Sequence, residues 1–224
     1  MPLRIGVPQF PGSCDEVDAL LAAGHVGDAE LLWHRDRDLK GVDAIVVPGG
    51  FSYGDYLRAG AIAGLSPVMD AIAAFAKDGG PVLGICNGFQ VLCAAGLLPG
   101  ALLQNADRRF VLRQVELSVE TTDTDWTSAA EPGQLLSIPA KHQSGRWWAP
   151  SELHAEIADQ EQIVFRYAAG GNFNGSLDDV AGVCNEGRNV VGLMPHPEHA
   201  VDPLTGSTDG LVLFRSLLQG ATNV

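Results

Sequence analysis

Val82-Leu-Gly-Ile-Cys-Asn-Gly-Phe-Gln90 is an apolar run that passes without a break into a helical pattern. Inside it, Gly84-Ile-Cys86-Asn-Gly88 is a G-x-C-x-G, the thiol counterpart of the G-x-S-x-G turn that perches a nucleophile between a strand and a helix. Small residues flank such a turn because the two backbones must approach closely. The turn sets the sulfur of Cys86 at a helix N-terminus, where the dipole and free N–H groups favour thiolate over thiol. It also brings the Asn87 N–H beside the oxygen of any carbonyl that the sulfur attacks. A strand feeding a helix in this way belongs to an α/β fold.

Outward from this turn, short apolar runs alternate with amphipathic stretches. Leu3–Val7, Leu31–Trp33, the continuous run from Asp43 to Pro48, and Pro81–Cys86 read as strands of a mainly parallel sheet. Helices are predicted from Pro11-Gly12 to about Gly24, over Ala61–Ala76 with Pro67 splitting or starting the main segment, and over Asn87–Ala95. Ser13 with Glu16 three residues later reads as a capping box for the first of these. Beyond Leu98 the period changes. Val111–Glu120 alternates as a strand, and Leu135–Pro139 is placed to pair with it in an antiparallel excursion. Gln162–Tyr167, Val180–Asn185 and Val190–Met194 follow as strands, and a last helix runs from about Thr208 to Leu218. With no internal repeat or linker, residues 1–224 read as one domain. The expected architecture is a flavodoxin-like α/β domain with helices on both faces and a small antiparallel excursion.

A thiolate that attacks an amide needs a proton carrier for the leaving amine. Of six histidines, His196 alone has an obvious orienter. It follows an apolar strand in Met194-Pro-His-Pro-Glu198, and Glu198 two residues on shares its side of an extended segment. Glu198 can then hold one imidazole tautomer and stabilise the imidazolium. His199, an odd number of positions away, is expected to point elsewhere. Val47-Pro-Gly-Gly50 ends a strand with two glycines, so an N–H of Gly50 or Phe51 joins that of Asn87 as a candidate oxyanion hole.

The chain carries 14 Lys+Arg against 27 Asp+Glu, a net charge of −13 that argues against binding a phosphate backbone. No apolar run approaches the ~20 residues that span a bilayer, and the first residues lack the apolar core of an export signal. Cys14, Cys86, Cys93 and Cys184 show no metal-ligand spacing, so free thiols in a reducing cytosol are expected, with all but Cys86 in the core. No metal site is expected.

The combination of P-G-G, G-I-C-N-G-F-Q and H-P-E resembles the class I (triad) glutamine amidotransferases. More narrowly, Gly49-Gly-Phe-Ser-Tyr-Gly-Asp-Tyr-Leu-Arg58, Gly84-Ile-Cys-Asn-Gly-Phe-Gln-Val-Leu-Cys93 and Asn174-Gly-Ser176 are similar to the glutaminase subunits of phosphoribosylformylglycinamidine synthase. The likeness implies a cytoplasmic glutaminase with Cys86, His196 and Glu198 as triad and Gln90 holding the substrate glutamine. It implies no cofactor in this subunit, ATP and magnesium on a partner synthetase, and a small accessory subunit. Three positions depart from the family pattern: Cys14 after F-P-G-S, Phe173 in place of a proline, and Ser144 in His142-Gln-Ser-Gly-Arg146 in place of a carboxylate. Trp147 and Trp148 read either as docking anchors or as a partly buried aromatic pair. The alternatives are a glutaminase feeding a different synthase, a cysteine hydrolase of related fold acting on another substrate, and a catalytically silent regulatory subunit.

Overall fold

The computed structural model describes residues 2–220. It opens with β1 (Leu3–Gln9), α1 (Glu16–Ala23), β2 (Gly27–Trp33) and β3 (Ala44–Val47). Next come α2 (Pro67–Lys77) and β4 (Val82–Ile85), which enters α3 (Asn87–Ala94) through the single residue Cys86. Then follow β5 (Ala101–Leu103), β6 (Val111–Val119), β7 (Leu135–His142), β8 (Arg146–Trp148) and α4 (Ser151–Asp159). The described chain closes with β9 (Ile163–Tyr167), β10 (Val180–Cys184), β11 (Val190–Leu193) and α5 (Leu211–Gly220).

Nine strands form one sheet in the order β2-β1-β3-β4-β11-β10-β9-β6-β7, and β5 pairs with β8 in a separate antiparallel ribbon. From β2 to β11 the neighbours are parallel, in the flavodoxin-like order expected. The antiparallel excursion continues the same sheet through β10, β9, β6 and β7. Every residue of β3 and β4 is buried, which is why both read as unbroken apolar runs. α1 packs on β1 and β2, and α3 on β3, β4 and β11. Pro67 occupies the first turn of α2, and Val68, Met69, Ile72 and Ala76 form its buried face.

The far edge of the sheet returns to its middle. The His196 N–H, just past β11, donates to the Pro139 carbonyl of β7 at 2.8 Å. The end of β7 therefore joins the carboxyl ends of β3, β4 and β11, where open α/β sheets place their chemistry.

Three short elements have no counterpart in the sequence reading. β5 and β8 hold three residues each, too few to express a period. α4 buries only Ile157, so its apolar stripe is nearly absent. The capping box at α1 is replaced by a different turn. Asp15 takes the N-cap position without a side-chain cap bond, and the Ser13 hydroxyl accepts the Phe10 N–H at 3.1 Å instead.

Candidate functional site

Cys86 adopts φ +51° and ψ −103° between β4 and α3, a conformation that costs a non-glycine residue of order 1–3 kcal/mol and persists only where its surroundings enforce it. Those surroundings are Gly84 and Gly88. A Cβ on Gly84 would stand 2.9 Å from the Gly88 carbonyl carbon, and one on Gly88 would collide with the Val47 carbonyl. The glycines thus let β4, α3 and β3 meet, as the motif requires. The Cys86 thiol points at the Lys141 carbonyl, 3.9 Å away.

His196 is fully buried, and its Nδ1 donates to Glu198 Oε1 at 2.6 Å. The opposite nitrogen, Nε2, is buried with no hydrogen-bond partner among the described residues. Burial alone would push this imidazolium down, but the Glu198 carboxylate and the Cys86 sulfur outweigh it and hold the pKa up at about 10. A protonated imidazole beside a sulfur can stabilise a thiolate and deliver a proton to a leaving group.

Pro197–His199 is a 3-10 turn rather than the extended segment expected. The geometry corrects the reading of His199, because residues three apart eclipse one another in such a turn. The His199 ring lies 5.3 Å from that of His196, with Nε2 3.5 Å from Glu198 Oε1 and 3.4 Å from Asp15 Oδ1. Asp15, which sequence reasoning passed over, is the hub of this layer. Its Oδ1 takes the Lys141 ammonium at 2.5 Å, and its Oδ2 lies 3.8 Å from His196 Nδ1. Burial works to raise the Asp15 carboxyl, but the nearby His199 ring, the hydrogen bond from Lys141 and the His196 charge hold it well below the usual carboxylate range. Donor atoms of Asp15, His196, Glu198 and His199 lie within 4.8 Å of one another, a spacing that could hold a metal ion. The Lys141 ammonium and the His196 proton already neutralise the two carboxylates there.

Cys86, His196, Gln90, Gly50 and Phe51 line one cavity of about 310 Å³, together with Asp15, Asp55, Lys141 and His142. Gly50 has φ +138°. The Phe51 N–H donates to the Gly12 carbonyl at 2.9 Å, so Gly50 and Asn87 are the sequence-predicted oxyanion donors not committed in this way. The Asn87 side chain ties the loop to the helix: Oδ1 accepts the Ser52 N–H at 3.1 Å, and Nδ2 donates to Gln90 Oε1 at 2.9 Å. Gln90 in turn donates to the Ser144 carbonyl at 2.5 Å. The segment with the missing carboxylate therefore reaches the site through its backbone.

His142 was not singled out as a site residue from the sequence. Asn105 Nδ2 donates to the carbonyls of Arg109 and His142, so Asn105 Oδ1 accepts, and His142 Nδ1 is its donor at 3.0 Å. Burial, helped by the His196 charge, pushes the His142 pKa down to about 3, so this ring is neutral. Phe173 packs on it, ring centroids 5.1 Å apart. Trp147 is fully buried, its Nε1–H donating to the Pro99 carbonyl at 3.2 Å, while Trp148 is half exposed. Cys184 is buried, but Cys14 is exposed and lines the cavity, contrary to its expected place in the core, because the turn at Ser13 carries it out against Gly50. No helix among the described residues is long and apolar enough to cross a membrane.

Comparison with known proteins fits this arrangement. The family described as "CobB/CobQ-like glutamine amidotransferase domain" matches residues 3–210. The phosphoribosylformylglycinamidine synthase subunit PurQ of Rubrobacter xylanophilus is 56% identical over 98% of this chain and 99% of its own. The protein of the same name in Mycobacterium bovis is 59% identical over 97% of each. Among solved structures, a chain of PurLQS from Thermotoga maritima is 41% identical with a TM-score of 0.90, covering 99% of this chain and 100% of that one. The chain belongs to the CobB/CobQ-like glutamine amidotransferase family.

Proposed function

We propose that this chain is the glutaminase subunit of a phosphoribosylformylglycinamidine synthase, hydrolysing glutamine to glutamate and ammonia and passing the ammonia to a partner synthetase in purine biosynthesis. Its relatives of that name match nearly end to end at 55–59% identity. The observation that carries the reading is the buried His196–Glu198 pair sharing one cavity with Cys86.

The Cys86 sulfur forms a bond to the side-chain amide carbon of glutamine, and the carbonyl electrons move onto oxygen, facing the N–H groups of Gly50 and Asn87. A donor of this kind is worth about 3 kcal/mol of barrier. As the C–N bond breaks, His196 gives its proton to the departing nitrogen, and ammonia leaves a glutamyl thioester. Water then attacks the thioester, returns a proton to His196, and frees glutamate and the Cys86 thiolate. Glu198 holds the ring throughout. Gln90 holds the substrate from one helical turn along α3. The subunit carries no cofactor; ATP and magnesium serve the synthetase, and a small accessory subunit completes the assembly in the cytoplasm.

The test is glutamate release from glutamine by the purified chain, alone and with its cognate synthetase. Release is expected to be weak alone and to rise strongly with the partner. Absence of release under both conditions would transfer the assignment to a silent regulatory subunit.

A further inference from the structure

The cavity holds three ionised side chains besides His196: Asp15, Lys141 and Asp55. Two of them satisfy each other, since Lys141 Nζ and Asp15 Oδ1 are 2.5 Å apart. Asp55 is the remainder. Its only side-chain partner among the described residues is the neutral Asn87 amide, a long contact of 3.4 Å, and it forms no ion pair there. A half-buried carboxylate with no cation paired to it is costly unless a ligand supplies one. Burial accordingly pushes its carboxyl upward with no cation opposing the shift.

The loop goes to some length to hold this carboxylate in place. Tyr53, Gly54, Asp55 and Leu57 all have φ between +53° and +69°, and left-handed backbone is disfavoured at three of these four positions. The loop is pinned from below by the Ser52 N–H on Asn87 and from the side by the Tyr53 hydroxyl on His34 at 2.9 Å. Asp55 thus stands on Asn87, the residue after Cys86, and Asn87 bonds Gln90.

We propose that Asp55 is the anionic subsite that receives the substrate's α-ammonium group. The proposal rests on the glutaminase reading and deepens it. An amino acid whose amide carbon lies at Cys86 presents a primary ammonium a few bonds away, and a carboxylate without a cation is its chemical complement. Asp55 is a binding residue here and takes no part in bond making. It makes the site select α-amino acids over other primary amides.

The experiment is a cycle between protein and substrate, using the chain assembled with its cognate synthetase. Ammonia release is followed from glutamine and from glutaramate, which keeps the amide and the carboxylate but lacks the α-amine. Where glutaramate turnover is too slow to follow, its inhibition constant against glutamine supplies the comparison. For Asp55→Asn, kcat/KM for glutamine is expected to fall about 10- to 100-fold, mostly through KM, the range for a hydrogen bond to a charged group. The same variant is expected to lose less than about threefold on glutaramate. Asp55→Glu, which restores the charge, is expected to recover part of the preference. Equal losses on both substrates in Asp55→Asn, with no recovery in Asp55→Glu, would overturn the proposal. A wild-type complex that releases no ammonia from glutamine would overturn the glutaminase reading beneath it.

Discussion

His196 Nδ1 and Glu198 Oε1 lie 2.6 Å apart with both side chains withdrawn from solvent. Two residues separated only by Pro197 achieve this because the chain leaves β11 and tightens at once into a 3-10 turn. The carboxylate therefore fixes the ring from one side and leaves Nε2 without a hydrogen-bond partner among the described residues on the other.

Removing that charge separates orientation from bulk. Glu198→Gln keeps the shape but cannot stabilise an imidazolium, and kcat for glutamine hydrolysis in the assembled complex is expected to fall about 10³- to 10⁴-fold, as in other triads. KM is expected to change little. Steady-state kinetics over a pH series will decide, and a kcat within tenfold of wild type would show that Glu198 does not orient the base.

The same pair makes stability depend on pH in one direction. The His196 pKa is raised from 6.5 to about 10, so the folded state holds its proton more tightly than the unfolded chain. The stabilisation is fully present below about pH 6.5 and is lost as pH rises through about 10. Denaturation midpoints are expected to decline over that window in wild type and to decline less in His196→Ala. Parallel curves for the two proteins would contradict the shift.

Gly49 lies close against both Asp15 and His196. A Cβ there would stand 2.5 Å from Asp15 Oδ2 and 2.8 Å from His196 Cε1. Gly49→Ala is expected to cost about 1–3 kcal/mol, read as a lowered melting temperature. Activity is expected to drop about 100-fold, because a displaced His196 no longer meets the reacting atoms. Retention of full activity in this variant would mean that Asp15 and His196 are not packed as described.

Much of this was legible in the chain itself. The parallel strands are legible as unbroken apolar runs such as Ala44–Val47, and the Cys86 turn from its glycines. What stayed hidden depends on contacts between distant residues or on a local change of period. His199 joins the site only because Pro197 begins a 3-10 turn, which an alternating reading cannot register. Asp15 meets Lys141 across 126 positions, and the Phe51 N–H meets Gly12 across a bridge between two loops. Neither leaves a mark on its own neighbourhood in the sequence. Asp55 sat inside the quoted Gly49 to Arg58 string, yet its unpaired carboxylate emerges only once the other charges of the cavity are matched.

The central claim is that this chain makes ammonia at Cys86 and another subunit consumes it. The direct test is synthesis of phosphoribosylformylglycinamidine by the assembled complex carrying Cys86→Ala, with glutamine or with ammonium salt as nitrogen donor. No glutamine-dependent synthesis is expected, with ammonium-dependent synthesis close to that of wild type. Glutamine-dependent synthesis that survived the substitution, or loss of the ammonium-dependent reaction along with it, would contradict that claim.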